Sequence, residues 1–423
     1  MVEEKTIHDP VHGSMRFSGL VLDLIDTPEI QRLRRICQLG LANLVFPGAN
    51  HTRFEHALGV AYVVRRLASE LDLPKEEADL LVAGAMLHDA GHAPYSHTLE
   101  YLMTDYLGVD HMELTGNILR GKTSICTPDE TEMLKKLKVP SAVNVLSKHG
   151  INPEELALLL LGKHSKSYLG QIIHSDIDVD QMDYLLRDAH YTGVALGRID
   201  IDRLMQTLTV HEDRLAIASK GVEAVEGLLT ARALMYSSVY FHHTTRIAEL
   251  MLANAVDYAI THKGPVTKEN FYRMSDEELT ERLYETGGYP RNIITRLRYR
   301  QLFKSAHVDE RRELKPKEKK SLLKTYGKWV RVREIQDEIA EKAGVPKGEV
   351  ILDVPIVDIL ISEPRLEKVE VPVLVEEKLV KLSKVSPLAT ALRKRQAPRY
   401  LLRVVTPAKH LKKVAEAAPK VLP

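Results

Sequence analysis

Cysteine is nearly missing from this chain: Cys37 and Cys126 are the two in 423 residues. One such pair provides no disulfide framework, so a reducing, cytoplasmic setting is expected. Long apolar runs are missing as well. The longest, such as LALLLLG, falls far short of the roughly 20 residues that cross a bilayer, and no membrane partner is expected. The opening MVEEKTIHDPVHG has no basic stretch leading into an apolar one, so no secretory signal is expected either. Charge of one sign is not in excess, because 59 Lys and Arg stand against 58 Asp and Glu. The whole chain therefore has no bias toward nucleic acid or anionic lipid. Asn and Gln are scarce, eight of each, a depletion typical of heat-stable proteins. No repeat of fixed period is found.

What is there describes a globular protein, with 44% hydrophobic and 28% charged residues. The apolar spacing is mostly helical from DTPEIQRLRRICQLG onward, and Asp26-Thr27-Pro28 is a helix start. GANHTRFEHALGVAYVVRRLASELDL reads as a loop running into a long helix. PKEEADLLVAGAMLHDAGH reads as another helix, with acids in its first turn and Gly91 at its end. Further helices are expected over 98–107, 110–120, 128–138 and 153–161, over DVDQMDYLLRDAHYTG, and near 220–238 and 241–262. DPVHGSMRF reads as a loop or short hairpin and TLTVHEDRLAIAS as a β-hairpin.

Between Arg291 and Arg333, 15 Lys and Arg face 4 Asp and Glu. After Gly344, strand-like EVILDVPIV, EVPVLV and RYLLRVVT alternate with helix-like PLATALRKRQ and AKHLKKVAEAA. The expected fold is mainly α. It comprises a helical domain over 1–290, a basic helical connector over 291–340 and a small α/β lobe over 341–423.

The chemistry concentrates in MLHDAGHAPYSH, from Met86 to His97. His88 and Asp89 sit at a helix end, where adjacent side chains can converge on an ion just beyond it. Imidazole nitrogen beside carboxylate oxygen suits Mn, Fe, Zn or Co. A pair does not hold a catalytic ion alone. His56, in RFEH, and an aspartate of HSDIDVDQMDY are candidates to complete the set, leaving positions open for water and substrate. Six histidines, His51, His56, His88, His92, His97 and His111, fall between residues 51 and 111. For any one of them, a satisfied core or surface histidine is the ordinary alternative.

The ordered set His56, His88-Asp89, Asp180 resembles the HD-domain metal phosphohydrolases. QLGLANLVFPGANHTRFEHALGV, HDAGHAPYSH, DVDQMDYLLRDAHYTG and RALMYSSVYFHH resemble the deoxynucleoside triphosphate triphosphohydrolases among them, in the branch of the human SAM-and-HD-domain enzyme. The likeness starts near Ile7, so no SAM domain is expected.

The resemblance implies a helical HD core with a small mixed lobe, and His56, His88, Asp89 and Asp180 as metal ligands. It implies attack of water on the α-phosphorus of a dNTP, releasing deoxynucleoside and triphosphate. His97 matches a general acid or phosphate-contacting histidine, His92 and His111 match its supporting histidines, and Glu100 stands where the branch carries Asp. Arg53 and Arg232 match phosphate-binding arginines. Gln38 and Asp188 match contacts to the 3′-hydroxyl, Leu39 packs beside the sugar, and Tyr184 contacts phosphate or sugar. Tyr240 matches the aromatic that crowds the 2′ face. Gln181 replaces a triphosphate-binding lysine, so affinity or base preference is expected to differ.

Asp26, Gln31 and Arg34 match a guanine-nucleotide effector site. Arg203, Lys220, Arg300 and Lys304 match residues holding effector phosphates, while Ala218 replaces an arginine of that set. A GTP or dNTP effector, Mg with bound nucleotide and a homotetramer are implied in the same way. Two other readings remain: another HD enzyme acting on monophosphates or cyclic esters, and a nucleotide-controlled oligomer that binds nucleic acid through the basic connector.

Overall fold

The structure is a computed structural model in which residues 4–310, 316–354, 370–393 and 400–422 are described. The distal parts of EVILDVPIV and PLATALRKRQ, and the first residue of RYLLRVVT, lie outside the described residues. The fold is mainly α-helical, with three small sheets among the described residues.

The helices that matter most begin with local signals. The helix Arg53–Glu70 follows Thr52, whose backbone N–H and hydroxyl both donate to the Glu55 carboxylate, the hydroxyl at 2.9 Å. That closes the helix start and fixes the turn bearing Arg53 and His56. The helix Lys75–Leu87 opens with Glu76 and Glu77, where acids complement the helix dipole. The helix Val179–Thr192 starts at Asp178, whose side chain accepts the Gln181 N–H at 2.8 Å. It ends at Gly193, whose positive φ suits a left-handed cap. These three helices share one core with Leu20–Ile25, Ala142–Lys148, Pro153–Leu160 and Ser167–Ile173, in which Leu24, Ala57, Leu81, Leu156 and Met182 are fully buried.

The helix Lys75–Leu87 stops earlier than the sequence suggests, with His88 as its cap. Gly91 serves close approach instead of capping: a Cβ there would stand 2.3 Å from the His111 carbonyl oxygen. The turn carrying His88, Asp89 and His92 therefore lies directly against the helix His111–Leu119. A second core gathers His243–Thr261, Asp276–Thr286 and Gly288–Arg298, and a third forms around Trp329–Ala343 and Leu411–Ala417.

The N-terminal strands Glu4–Asp9 and Gly13–Ser18 pair as an antiparallel hairpin. The expected hairpin Leu208–His211 and Arg214–Ala218 forms and is extended by Pro372–Val375, parallel to it at Ile217 and Val373, and then by Lys378–Lys381. In the third sheet, Tyr400–Thr406 lies between Lys304–Glu310 and Ile351–Asp353. Lys304–Glu310 is thus a strand inside the stretch expected as a helical connector, because its pairing partner lies far along the chain. Among the described residues, no helix is long and apolar enough to cross a membrane.

Candidate functional site

Three chain segments converge at one point. His56 comes from the first turn of its helix, His88 and Asp89 from the turn after Leu87, and Asp180 from the first turn of its helix. Ligand-capable atoms of His56, His88 and Asp180 lie within 4.8 Å of one another. Asp89 joins them, with oxygens 3.3 Å from His88 Nε2 and 3.8 Å from His56 Nε2.

Both imidazoles are oriented from behind. His56 Nδ1 donates to Asp183 Oδ2 at 2.8 Å, and His88 Nδ1 donates to the Ala85 carbonyl at 2.8 Å. Each ring so held aims Nε2 into the site, where His56 Nε2 meets Asp180 Oδ1 at 2.9 Å, and that atom can ligate a metal once it carries no proton. His88 Nε2 is buried with no hydrogen-bond partner. Burial opposes a charge on His56, but Asp180 and Asp183 outweigh it and push its pKa up to about 10. The site therefore favours positive charge at the place where an ion would sit. Asp178 is buried and Asp180, two residues on, is half-buried, and burial and the Asp180 charge push Asp178 upward. Borderline nitrogen donors, carboxylates and an orphaned Nε2 fit a divalent transition metal.

Beside this centre, His92, His97 and His111 form a second group within 4.8 Å. Glu100 binds Nδ1 of both His97, at 2.5 Å, and His111. His92 stacks on His111 with centroids 3.9 Å apart and places Nε2 3.3 Å from Asp89 Oδ1. Burial, with Arg53 and His111, drives the His92 pKa well down and keeps the ring neutral. Glu100 is penalised by burial, yet His111 and His97 hold it well below the usual carboxylate range. His111 is raised, because Glu100 outweighs burial. His97 is the member open to solvent, its side chain 65% exposed.

Arg53 is buried and donates to Asp89 Oδ2 at 2.5 Å and to Ser96 Oγ at 2.6 Å. Arg232 is buried with Nε and Nη1 unpartnered. It faces the Tyr236 ring at 5.9 Å, and Tyr236 meets Tyr240 edge-on at 5.0 Å. The Tyr240 hydroxyl donates to Asp188 Oδ2 at 2.7 Å, with Tyr184 6.2 Å from Tyr240. Tyr240 rides on a π-helical turn, Tyr236–Tyr240, a local widening that often marks function. Gln38 is buried with Oε1 unpartnered, and Leu39 packs half-buried against the core. Gln181 turns inward, its amide donating to the Ser175 carbonyl at 2.8 Å and to Asp178 at 3.1 Å.

The remaining expected residues make contacts of their own. Gln31 accepts from Arg34 at 2.9 Å, and Asp26 is exposed beside them. Arg203 donates to the Lys220 carbonyl at 2.7 Å. Arg300 donates to the Leu44 carbonyl at 2.9 Å, and Lys304 is exposed at a strand start. Sequence reading missed Asp183, which no spacing marks as the partner of His56, and the part played by His51.

Residues 53–188 match the HD domain, and residues 199–423 match the HD associated region. A protein of unassigned function from Methanocaldococcus jannaschii is 31% identical over 97% of this chain and 81% of its own. The deoxynucleoside triphosphate triphosphohydrolase SAMHD1 homolog of Dictyostelium discoideum is 29% identical over 72% of this chain. The match spans 60% of that relative's length. The crystal structure of a phosphohydrolase from Bacteroides thetaiotaomicron is 25% identical, with a TM-score of 0.67 over 95% of this chain and 99% of that one.

Proposed function

From the premise that the chain belongs to the family joining an HD domain to an HD-associated region, we propose that it hydrolyses dNTPs to deoxynucleoside and inorganic triphosphate. Membership makes it a hydrolase of the HD phosphohydrolase kind; the substrate and the bond cleaved are our reading. What carries that reading is the layout of buried, unpartnered polar atoms. His88 Nε2 and both His92 nitrogens lie at one end, and Arg232 Nε and Nη1 lie beside the tyrosines that lead to Asp188. Asp180 and Asp188 are two turns apart on one helix face, about 12 Å along the axis, which leaves room for one nucleoside between them.

His56, His88, Asp89 and Asp180 would hold a divalent ion such as Mn, Fe, Zn or Co. Bound there, it would polarise a phosphate oxygen and acidify a water. Arg53 keeps Asp89 ionised, and the free N–H groups of Arg232 receive triphosphate oxygens. His97, anchored through Nδ1 by Glu100, delivers a proton from Nε2 to the departing 5′-oxygen. His92, neutral and buried, donates to phosphate without adding charge. Asp188 and Gln38 take the 3′-hydroxyl, and Tyr240 closes the space that a 2′-hydroxyl would need. Control by GTP or dNTP at Asp26, Gln31, Arg34, Arg203, Lys220, Arg300 and Lys304, between subunits of a homotetramer, belongs to the same proposal. It rests on resemblance.

The test is to incubate the protein with Mn²⁺ and each dNTP, with and without GTP, and to separate the products by ion exchange. Deoxynucleoside with tripolyphosphate is expected, and none with Asp89→Ala. Monophosphate with pyrophosphate, or turnover of cyclic esters alone, would favour another HD phosphohydrolase instead.

A further inference from the structure

His51 is a buried histidine that touches both residues expected to grip the 3′-hydroxyl. Its ring Nε2 contacts Asp188 Oδ1 at 2.8 Å, across 137 residues of chain. Its backbone carbonyl accepts the Gln38 N–H at 3.0 Å. The ring lies flat on Tyr191, with centroids 4.5 Å apart and planes 10° from parallel. An ionised carboxylate only accepts, so Nε2 carries the proton and Nδ1 is left as an acceptor, buried and without a partner.

The surrounding backbone is a short ladder. Cys37 and Thr52 bridge, the Gln38 N–H reaches His51, and the Arg53 N–H reaches the Ile36 carbonyl at 3.0 Å. This ladder runs directly into the helix start bearing Arg53 and His56. The segment 51–56 thus spaces the sugar end of the site from its metal end. Asp188 is held from opposite sides, His51 on Oδ1 and Tyr240 on Oδ2. Each oxygen keeps a lone pair for a substrate hydroxyl.

The geometry assigns His51 as the positioning residue for recognition of the 3′-hydroxyl: it fixes the Asp188 carboxylate through its ring and the Gln38 backbone through its carbonyl. This inference rests on the dNTP reading above. It differs from a purely structural role in one observable, discrimination between dNTPs and 2′,3′-dideoxy analogues. Losing a charge-assisted hydrogen bond to the sugar corresponds to about tenfold or more in kcat/KM.

The experiment measures kcat/KM for a dNTP and its dideoxy counterpart on the full chain with Mn²⁺. His51→Phe keeps the flat ring on Tyr191 without the donor, and His51→Gln keeps a donor near the Nε2 position. The ratio should fall about tenfold or more toward unity in His51→Phe and stay near the wild-type value in His51→Gln. Should His51→Phe fail to fold, His51→Asn, whose amide is too short to reach Asp188, takes its place with the same expected fall. An unchanged ratio in the donor-less variant would overturn the assignment while leaving the dNTPase reading intact. A wild-type protein that yields no deoxynucleoside from any dNTP would overturn both.

Discussion

Removing the carboxylate of Asp89 takes away more than a candidate ligand, because it strands the buried Arg53 guanidinium. Asp89→Ala should therefore lower the urea-unfolding free energy by about 3 kcal/mol and also reduce bound metal, measured by elemental analysis. The Tyr240 hydroxyl donates to Asp188 Oδ2, and under the proposed function its ring takes the place of a steric wall against a 2′-hydroxyl. Tyr240→Ala should raise kcat/KM for ribonucleoside triphosphates relative to dNTPs, while a ratio that stays put would remove the steric wall from the account. Glu100 holds the proton on His111. Without its charge, burial wins and the His111 pKa drops, so Glu100→Gln should lower the pH at which the His111 ring titrates, read by NMR of its ring protons. The His111 pKa is raised above its ordinary 6.5 in the folded chain. Its share of stability is complete below that value and is lost as pH rises through the raised one.

At the level of elements, the helices Arg53–Glu70 and Val179–Thr192 cross closely enough that Gly59 has no room for a side chain. A Cβ there would lie 1.9 Å from Asp183 Oδ1, the carboxylate that orients His56. Gly59→Ala should cost about 3 kcal/mol by forcing the helices apart, read by thermal and urea unfolding. Much of this region was legible in the sequence. HDAGH and RFEH are local words, and most helices announced themselves through caps and periodicity. What was hidden depends on partners far along the chain. Asp183 belongs to the same helix as Asp180, yet nothing local shows that it faces His56. Besides Arg187 on its own helix, it also meets His12 at 2.7 Å, which arrives from the N-terminal hairpin. Gln181, a substrate residue by its alignment with a lysine, donates its amide nitrogen to Ser175 and Asp178 at the start of its own helix and keeps Oε1 buried without a partner, an arrangement no local pattern announces. The strand Lys304–Glu310 lies in a basic stretch whose composition suits a solvated helix; only its pairing with Tyr400–Thr406 makes it a strand.

On the scale of the whole molecule, the C-terminal part is stitched into the helical body. Pro372–Val375 lies against Arg214–Ala218, and Val371, Val373, Leu382 and Leu392 are buried in the same core as the helices bearing the metal candidates. Asp353, fully buried, binds Arg246 at 3.1 Å and Arg403 at 2.7 Å. This ties the third sheet to the helix that follows Tyr240. Ending the chain at residue 370 should therefore uncover a strand edge and core side chains, giving aggregation on size exclusion in place of a stable HD domain. A monodisperse, cooperatively melting fragment would show that the two parts stand alone. The most direct test of the account is anomalous diffraction at the Mn or Fe edge from crystals of the full chain grown with that metal. The account predicts one strong peak per chain within bonding distance of His56 Nε2, His88 Nε2 and carboxylate oxygens of Asp89 and Asp180. A peak among His92, His97 and His111 instead, or none at all, would contradict it.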